Sequence, residues 1–79
     1  MSHTPPPKGP KATIASCQLY DLLGLRYGRE GLHACAKYLG ASPVAVLLWA
    51  EGKERPAPRF LTPISDRYRI AVTSWERPA

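Results

Sequence analysis

The sequence is poor in the residues that build catalytic and metal centres. Its 79 residues include two cysteines, Cys17 and Cys35, and two histidines, His3 and His33. These four residues form no CxxC motif, no zinc-ligand spacing and no evident disulfide framework. No Ser-His-Asp or Cys-His spacing stands out, and the glycines of residues 28–31 are not followed by the Gly-Lys-Ser/Thr of a phosphate loop. We therefore expect no enzymatic activity, no metal and no cofactor.

Long apolar runs and an N-terminal signal peptide are also missing. The longest apolar run, residues 44–50, is far too short to cross a membrane. With no signal peptide, we expect a cytoplasmic protein with reduced cysteines and no membrane partner.

Acidic residues are few compared with basic ones. The chain has 11 Lys and Arg against 6 Asp and Glu, which gives a net charge of +5 and a pI near 9.6. This balance favours an anionic partner, such as nucleic acid or an acidic protein surface. A chain of this length buries only about 60% of its unfolded surface, so we predict one small domain that a homodimer contact would help to stabilise.

The N-terminal stretch differs in composition from the rest of the chain. Residues 1–13 are rich in proline and contain almost nothing that a core could bury, so we predict a disordered basic arm there and a folded domain over residues 14–76. Lys8 and Lys11 in this arm would follow a phosphate backbone. The alternative, which we favour, is a solvated tail without a binding role.

Residues 32–56 contain two helical patterns joined by a tight turn. Gly40 suits a left-handed turn residue, a conformation that is costly for residues with a β-carbon. Ser42 is a favourable N-cap, and Pro43 fits the first helical position, where no backbone donor is needed. Gly52 then fits the position just beyond the end of the second helix.

This stretch resembles the helix-turn-helix of the lambda repressor/Cro superfamily. A common form of that motif is A-x3-G-x5-[IV]-x2-W-x2-G-x3-P, and the matching residues here are Ala36, Gly40, Val46, Trp49, Gly52 and Pro56. The resemblance implies an all-α domain of four to five helices, lambda-repressor-like, in which the second helix of the pair enters the DNA major groove. A generic helical hairpin around a tryptophan is the alternative.

The outward side of the predicted helix 43–51 departs from that family. At about 100° per residue, its outward-facing residues are Val44, Leu47, Leu48 and Glu51. In the family this side usually carries polar residues, whereas here it offers no hydrogen-bond donor. Base edges are read mainly by donors and acceptors, and aliphatic groups serve chiefly against the thymine methyl.

Basic residues follow this helix. Lys53, Arg55 and Arg59 lie in a proline-rich segment that, in the resembled family, runs near the DNA backbone. Phosphate contacts of this kind position a protein on DNA without specifying a sequence.

The flanking helices are less sharply predicted. A first helix over residues 14–27 would have Ser16 as its N-cap, and Gly24 either allows a close helix contact or marks an earlier end. A fourth helix begins at Pro58, and Pro63 inside it predicts a kink or a break.

The C-terminal stretch, residues 67–75, fits either a strand or a helix. Tyr68 and Trp75 in it either complete the core or form a dimer or partner contact, and we favour the core.

Two functions fit these observations. The first is a transcriptional regulator, such as a repressor, that binds double-stranded DNA through helix 43–51. The second is a protein-binding regulator, an antiactivator or an inhibitor of RNA polymerase or a transcription factor, that docks through an apolar patch. Phages and mobile elements use small helix-turn-helix proteins in both ways. The residues predicted to bind DNA or the partner are Ser42, Pro43, Val44, Leu47, Leu48, Glu51, Lys53, Arg55 and Arg59, with Lys8 and Lys11 as accessory contacts.

Overall fold

Four α-helices and one short 3₁₀-helix make up most of residues 9–78, the part of the chain that the computed structural model describes. The elements are α1 (Ile14–Leu22), α2 (Glu30–Leu39), α3 (Pro43–Ala50), α4 (Pro58–Tyr68) and the 3₁₀-helix Val72–Glu76. Within this range, β pairing is limited to an isolated antiparallel bridge between Thr13 and Pro78. The predicted all-α class is confirmed.

Trp49 is buried in the core, as the sequence predicted. Its side chain is 4% exposed, and its ring centroid lies 5.1 Å from that of Phe60 on α4. Every helix contributes to this core, whose other apolar members are Ala15, Leu19, Leu23, Leu32, Cys35, Ala36, Val46, Ala50, Ile64, Ile70 and Trp75. Burial of Trp75 agrees with the interpretation that this residue completes the core, and the half-buried Tyr68 packs against the same cluster.

Residues 9–13, which we call the N-terminal segment, pack against the end of α3. Gly9 N–H donates to the Glu51 carbonyl at 3.0 Å, and Lys11 N–H donates to the Gly52 carbonyl at 2.7 Å. Thr13 is fully buried. The prediction of a disordered arm up to residue 13 is therefore wrong for residues 9–13, because backbone groups rather than apolar side chains hold them. Residues 1–8 of the predicted arm lie outside the described residues.

Helix α1 is shorter than predicted and begins with a different cap. Thr13, not Ser16, is the N-cap: Ser16 N–H donates to Thr13 Oγ1 at 3.1 Å, and Thr13 N–H donates to Ser16 Oγ at 2.8 Å. This reciprocal arrangement is a capping box with serine in the third position, so Ser16 takes part in the cap from inside the helix. The helix ends at Leu22, and Gly24 lies beyond it, which settles the open choice in favour of an earlier end.

Helix α4 continues through Pro63, so of the predicted kink or break, the break near residue 62 is wrong. An interior proline costs about 3 kcal/mol or more. Burial offsets this cost: Ile64 is fully buried, and Phe60, Leu61 and Tyr68 pack on the same core. Packing of one apolar face contributes most of the stability of helices in proteins, and it outweighs the local penalty here.

Residues 67–75 do not form a strand, and they are helical at both ends but not as one continuous helix. Helix α4 ends at Tyr68, Arg69 takes a left-handed conformation with φ of 59°, and the chain then enters the 3₁₀-helix. The left-handed residue turns the chain, so that Ile70 and Trp75 both reach the core.

No single helix among residues 9–78 is long and apolar enough to cross a membrane; α2 and α3 together meet the test by length and composition only, with a bend of 112° between them.

Candidate functional site

A tight turn sets the position of α3. Gly40 ends α2 in the left-handed conformation with φ of 68°, and the Ala41 N–H donates to the Ala36 carbonyl at 3.0 Å. Ser42 Oγ accepts a hydrogen bond from the Ala45 N–H at 3.1 Å, and Pro43 occupies the first helical position. These features confirm the turn predicted from the sequence.

The two helices of this turn cross steeply. The chain direction changes by 112° between α2 and α3, across the three residues from 40 to 42. Helix-turn-helix units join two helices at about 90–120° through a turn of three or four residues that often contains glycine. The described geometry therefore falls within the range of a helix-turn-helix unit.

The outer side of α3 is apolar but smaller than predicted. Val44 is 67% exposed, whereas Leu47 and Leu48 are half-buried. Leu47 also packs against the core, so its assignment to a freely exposed side needs correction. The difference arises because α3 packs against both α1 and α2. A helical wheel gives only the direction in which each side chain points, not which neighbours cover it. Val44 is the residue of this side that is most available for contact.

Glu51 and Lys53 form an ion pair at the C-terminal end of α3. Lys53 Nζ lies 3.3 Å from Glu51 Oε1, and the two side chains are 55% and 23% exposed. Exposed pairs of this kind contribute little to stability, about 0–1 kcal/mol. Their charges nevertheless offset each other, which lowers the electrostatic attraction that Lys53 offers to an anion.

Lys11 and Arg55 lie close together although 44 positions separate them in the sequence. Both line a shallow cleft with Pro10 and Glu54, between the N-terminal segment and the loop after α3. The backbone bond from Lys11 to Gly52 brings the segment to this loop. The structure thus joins a basic residue of the predicted arm to the predicted basic cluster, while Lys8 lies outside the described residues.

The Arg59 guanidinium packs over the aromatic ring of Phe60, which itself contacts the core. The guanidinium carbon lies 4.8 Å from the centroid of the Phe60 ring, and the Phe60 ring in turn packs in a tilted arrangement against Trp49. A guanidinium over an aromatic face gains about 0.5–1 kcal/mol at exposed sites. The contact limits the freedom of the Arg59 side chain while its residue stays exposed to solvent.

A second arginine–aromatic contact was not found from the sequence. The Arg67 guanidinium on α4 lies 4.6 Å from the ring centroid of Tyr38 on α2 and 5.9 Å from that of Tyr68. Tyr38 is 48% exposed. Residues 38 and 67 share no local pattern, so only the packing of α2 against α4 reveals the pair.

Cys35 lies next to Tyr68 and Arg67, two of the residues that form this contact. Burial raises the pKa of its thiol, with a hydrogen bond to Tyr68 and the charge of Arg67 acting in the opposite direction. Burial also raises the pKa of the Tyr68 hydroxyl, and the Cys35 contact adds to the rise. Burial therefore favours the neutral form of the Cys35 thiol over the thiolate.

Residues 9–78 contain no group of three or more His, Cys, Asp and Glu side chains that could hold a metal ion. Cys17 and Cys35 are both free thiols.

No family model, curated protein or solved structure matches the chain.

Proposed function

We propose that this protein is a small transcriptional regulator that binds duplex DNA with α3 directed into the major groove. The observation that carries the proposal is the joint placement of two features: a helix-turn-helix unit, and basic residues from two distant segments at the C-terminal end of its second helix. The resemblance to the lambda repressor/Cro motif supports the same proposal.

Phosphate contacts supply most of the affinity in this proposal. Lys11, Arg55 and Arg59 are exposed, and the ion pairs found among the described residues involve Arg26 and Lys53 instead. Lysine and arginine side chains that neutralise phosphates release counterions, which makes binding strong at low salt and weak at high salt. The net charge of +5 acts in the same direction.

Sequence discrimination is weak in this proposal. The outer side of α3 presents Val44 and part of Leu48, neither of which donates or accepts a hydrogen bond. Aliphatic groups distinguish bases chiefly by contact with the thymine methyl, so we expect a preference for particular thymines rather than a strict operator.

A second function rests on the same apolar side. Val44 is 67% exposed on a helix whose outer side has no hydrogen-bond donor, and such a side chain matches an apolar protein surface better than a base edge. In this alternative the protein is an antiactivator, or an inhibitor of RNA polymerase or a transcription factor, that docks through Val44 and the exposed part of Leu48.

One substitution separates the two functions. Val44→Lys adds a positive charge to the outer side of α3 without touching the core. If α3 enters DNA, general affinity for duplex DNA rises or holds and the sequence preference changes. If α3 docks on a protein, burying the new charge is costly and that partner is lost.

The measurement is a pull-down from host lysate in which bound DNA and bound protein are both quantified. Leu22→Lys is the matched control, since it adds the same charge at another exposed aliphatic side chain, at the end of α1. A protein retained by Leu22→Lys but lost by Val44→Lys would support docking. Recovery of DNA by the wild type and by both variants, with an altered sequence preference in Val44→Lys alone, would support DNA binding.

A further inference from the structure

The N-terminal segment runs so close to the end of α3 that a side chain at Gly9 would not fit. A β-carbon built on Gly9 would lie 2.5 Å from the Gly52 carbonyl oxygen, which is closer than such atoms approach in proteins. The atom that it would meet belongs to the backbone, so it cannot turn aside as a side chain can. Glycine is the residue that allows two backbones to approach this closely. The contact therefore depends on the absence of a side chain at position 9.

The same contact fixes the backbone of Lys11. Lys11 N–H donates to the Gly52 carbonyl at 2.7 Å, so its acceptor is the oxygen that a β-carbon at Gly9 would displace. Thr13, the buried N-cap of α1, holds the segment at its other end. Lys11 is thus placed between two fixed points, and its exposed side chain lines the cleft that it shares with Arg55.

Lys11 decides the sign of the charge in this cleft. The other charged residues of its lining are Arg55 and Glu54, whose opposite charges offset each other. The adjacent Lys53 adds little, since its Nζ lies 3.3 Å from Glu51 Oε1 in an ion pair. With Lys11 in place the cations of the lining outnumber the carboxylate. Without it, an anion gains little net attraction from the cleft.

We infer, on the basis of the proposed DNA binding, that Gly9 is a positioning residue: its close contact with Gly52 holds Lys11 at the cleft, where Lys11 neutralises a phosphate of the duplex. A backbone that is ordered before binding loses little conformational entropy when the phosphate arrives. A displaced segment has to be ordered again at that moment, so the contact between Lys11 and the phosphate is lost.

The test measures how binding of the full chain to a duplex DNA fragment depends on salt. Gly9→Ala should flatten the plot of log binding constant against log salt concentration by about one unit, which corresponds to one lost phosphate contact. A variant that is merely less stable contains less folded protein at every salt concentration, so its slope stays that of the wild type. Gly28→Ala is the matched control, because a β-carbon there meets no atom within 4 Å, and it should keep the wild-type slope.

A second substitution tests whether Gly9 acts through Lys11. Lys11→Asn should itself flatten the slope by about one unit. Adding Gly9→Ala to Lys11→Asn should flatten it no further, because the contact is already gone. Amide hydrogen exchange at Lys11 should be faster in Gly9→Ala than in the wild type, which shows that the segment has moved.

Failure of this inference can be told apart from failure of the proposed function. If the wild type binds duplex DNA with a salt-dependent constant, a wild-type slope in Gly9→Ala would overturn the positioning role alone. Further flattening in the double variant, or unchanged exchange at Lys11 in Gly9→Ala, would do the same. A wild type that does not bind duplex DNA, or binds it without regard to salt, would overturn both.

Discussion

Gly52, just beyond the end of α3, lies directly against the N-terminal segment. Gly52 has φ of 74°, and a β-carbon built on it would lie 2.6 Å from Ala12 Cα. In Gly52→Ala the left-handed conformation costs about 1–2 kcal/mol. The added methyl must also displace the segment, because the atom that it meets is backbone.

Displacement of the segment breaks two backbone hydrogen bonds. These are Gly9 N–H to the Glu51 carbonyl and Lys11 N–H to the Gly52 carbonyl. At about 0.5–1.5 kcal/mol each, their loss adds about 1–3 kcal/mol. The total is about 2–5 kcal/mol. This is a large share of the free energy of unfolding of such a domain, which is expected to be about 5–15 kcal/mol.

Gly40→Ala is the matched control for this change. Gly40 has φ of 68°, but a β-carbon there would meet no atom within 4 Å, so only the conformational cost applies. We expect urea denaturation to show Gly52→Ala less stable than Gly40→Ala by about 1–3 kcal/mol. Amide hydrogen exchange should show faster exchange at Gly9 and Lys11 in Gly52→Ala alone. Equal stability of the two variants, or unchanged exchange at these two amides, would refute the packing of the segment on Gly52.

Two further predictions concern the core. Trp49→Ala should cost about 3–5 kcal/mol, because it removes a buried ring that packs on Phe60, and a cooperative thermal transition at the wild-type temperature would contradict this. Burial raises the pKa of Cys35, so the folded state holds the thiol proton more tightly than the unfolded state does. Stability should therefore be at its full value below the unfolded thiol pKa of about 8.5 and fall as the pH rises above it, with a shallower fall in Cys35→Ala, as measured by urea denaturation between neutral and alkaline pH. A fall of equal steepness in both proteins would contradict the role of this thiol.

Features determined by local stereochemistry were predictable from the sequence. Gly40 adopts the left-handed conformation, Ser42 caps α3, and Gly52 lies just beyond the end of that helix, as the residue types required. Trp49 was placed in the core by its spacing from Val46 on one helix face. In each case the signal lay within a few residues of the feature that it predicted.

Features determined by tertiary contacts were not predictable in this way. The N-terminal segment is held by backbone hydrogen bonds to residues 51 and 52, which no side-chain pattern records. Of the kink or break predicted at Pro63, the break does not occur, because burial of Ile64 and its neighbours outweighs the local cost. In the candidate site, the cleft shared by Lys11 and Arg55 and the half-burial of Leu47 likewise depend on packing between distant segments.

The salt dependence of binding to a duplex DNA fragment tests the proposed DNA function most directly. If Lys11, Arg55 and Arg59 each neutralise one phosphate, the logarithm of the binding constant should fall with the logarithm of salt concentration with a slope of about −2.7. Arg55→Asn and Arg59→Asn should each flatten the slope by about one unit. Arg69→Asn is the matched control, since Arg69 lies in a pocket with Gln18 and Asp21 of α1 and asparagine tolerates its left-handed conformation. It should keep the wild-type slope. Binding that does not respond to salt, or equal slopes in all three variants and the wild type, would contradict DNA binding through these residues.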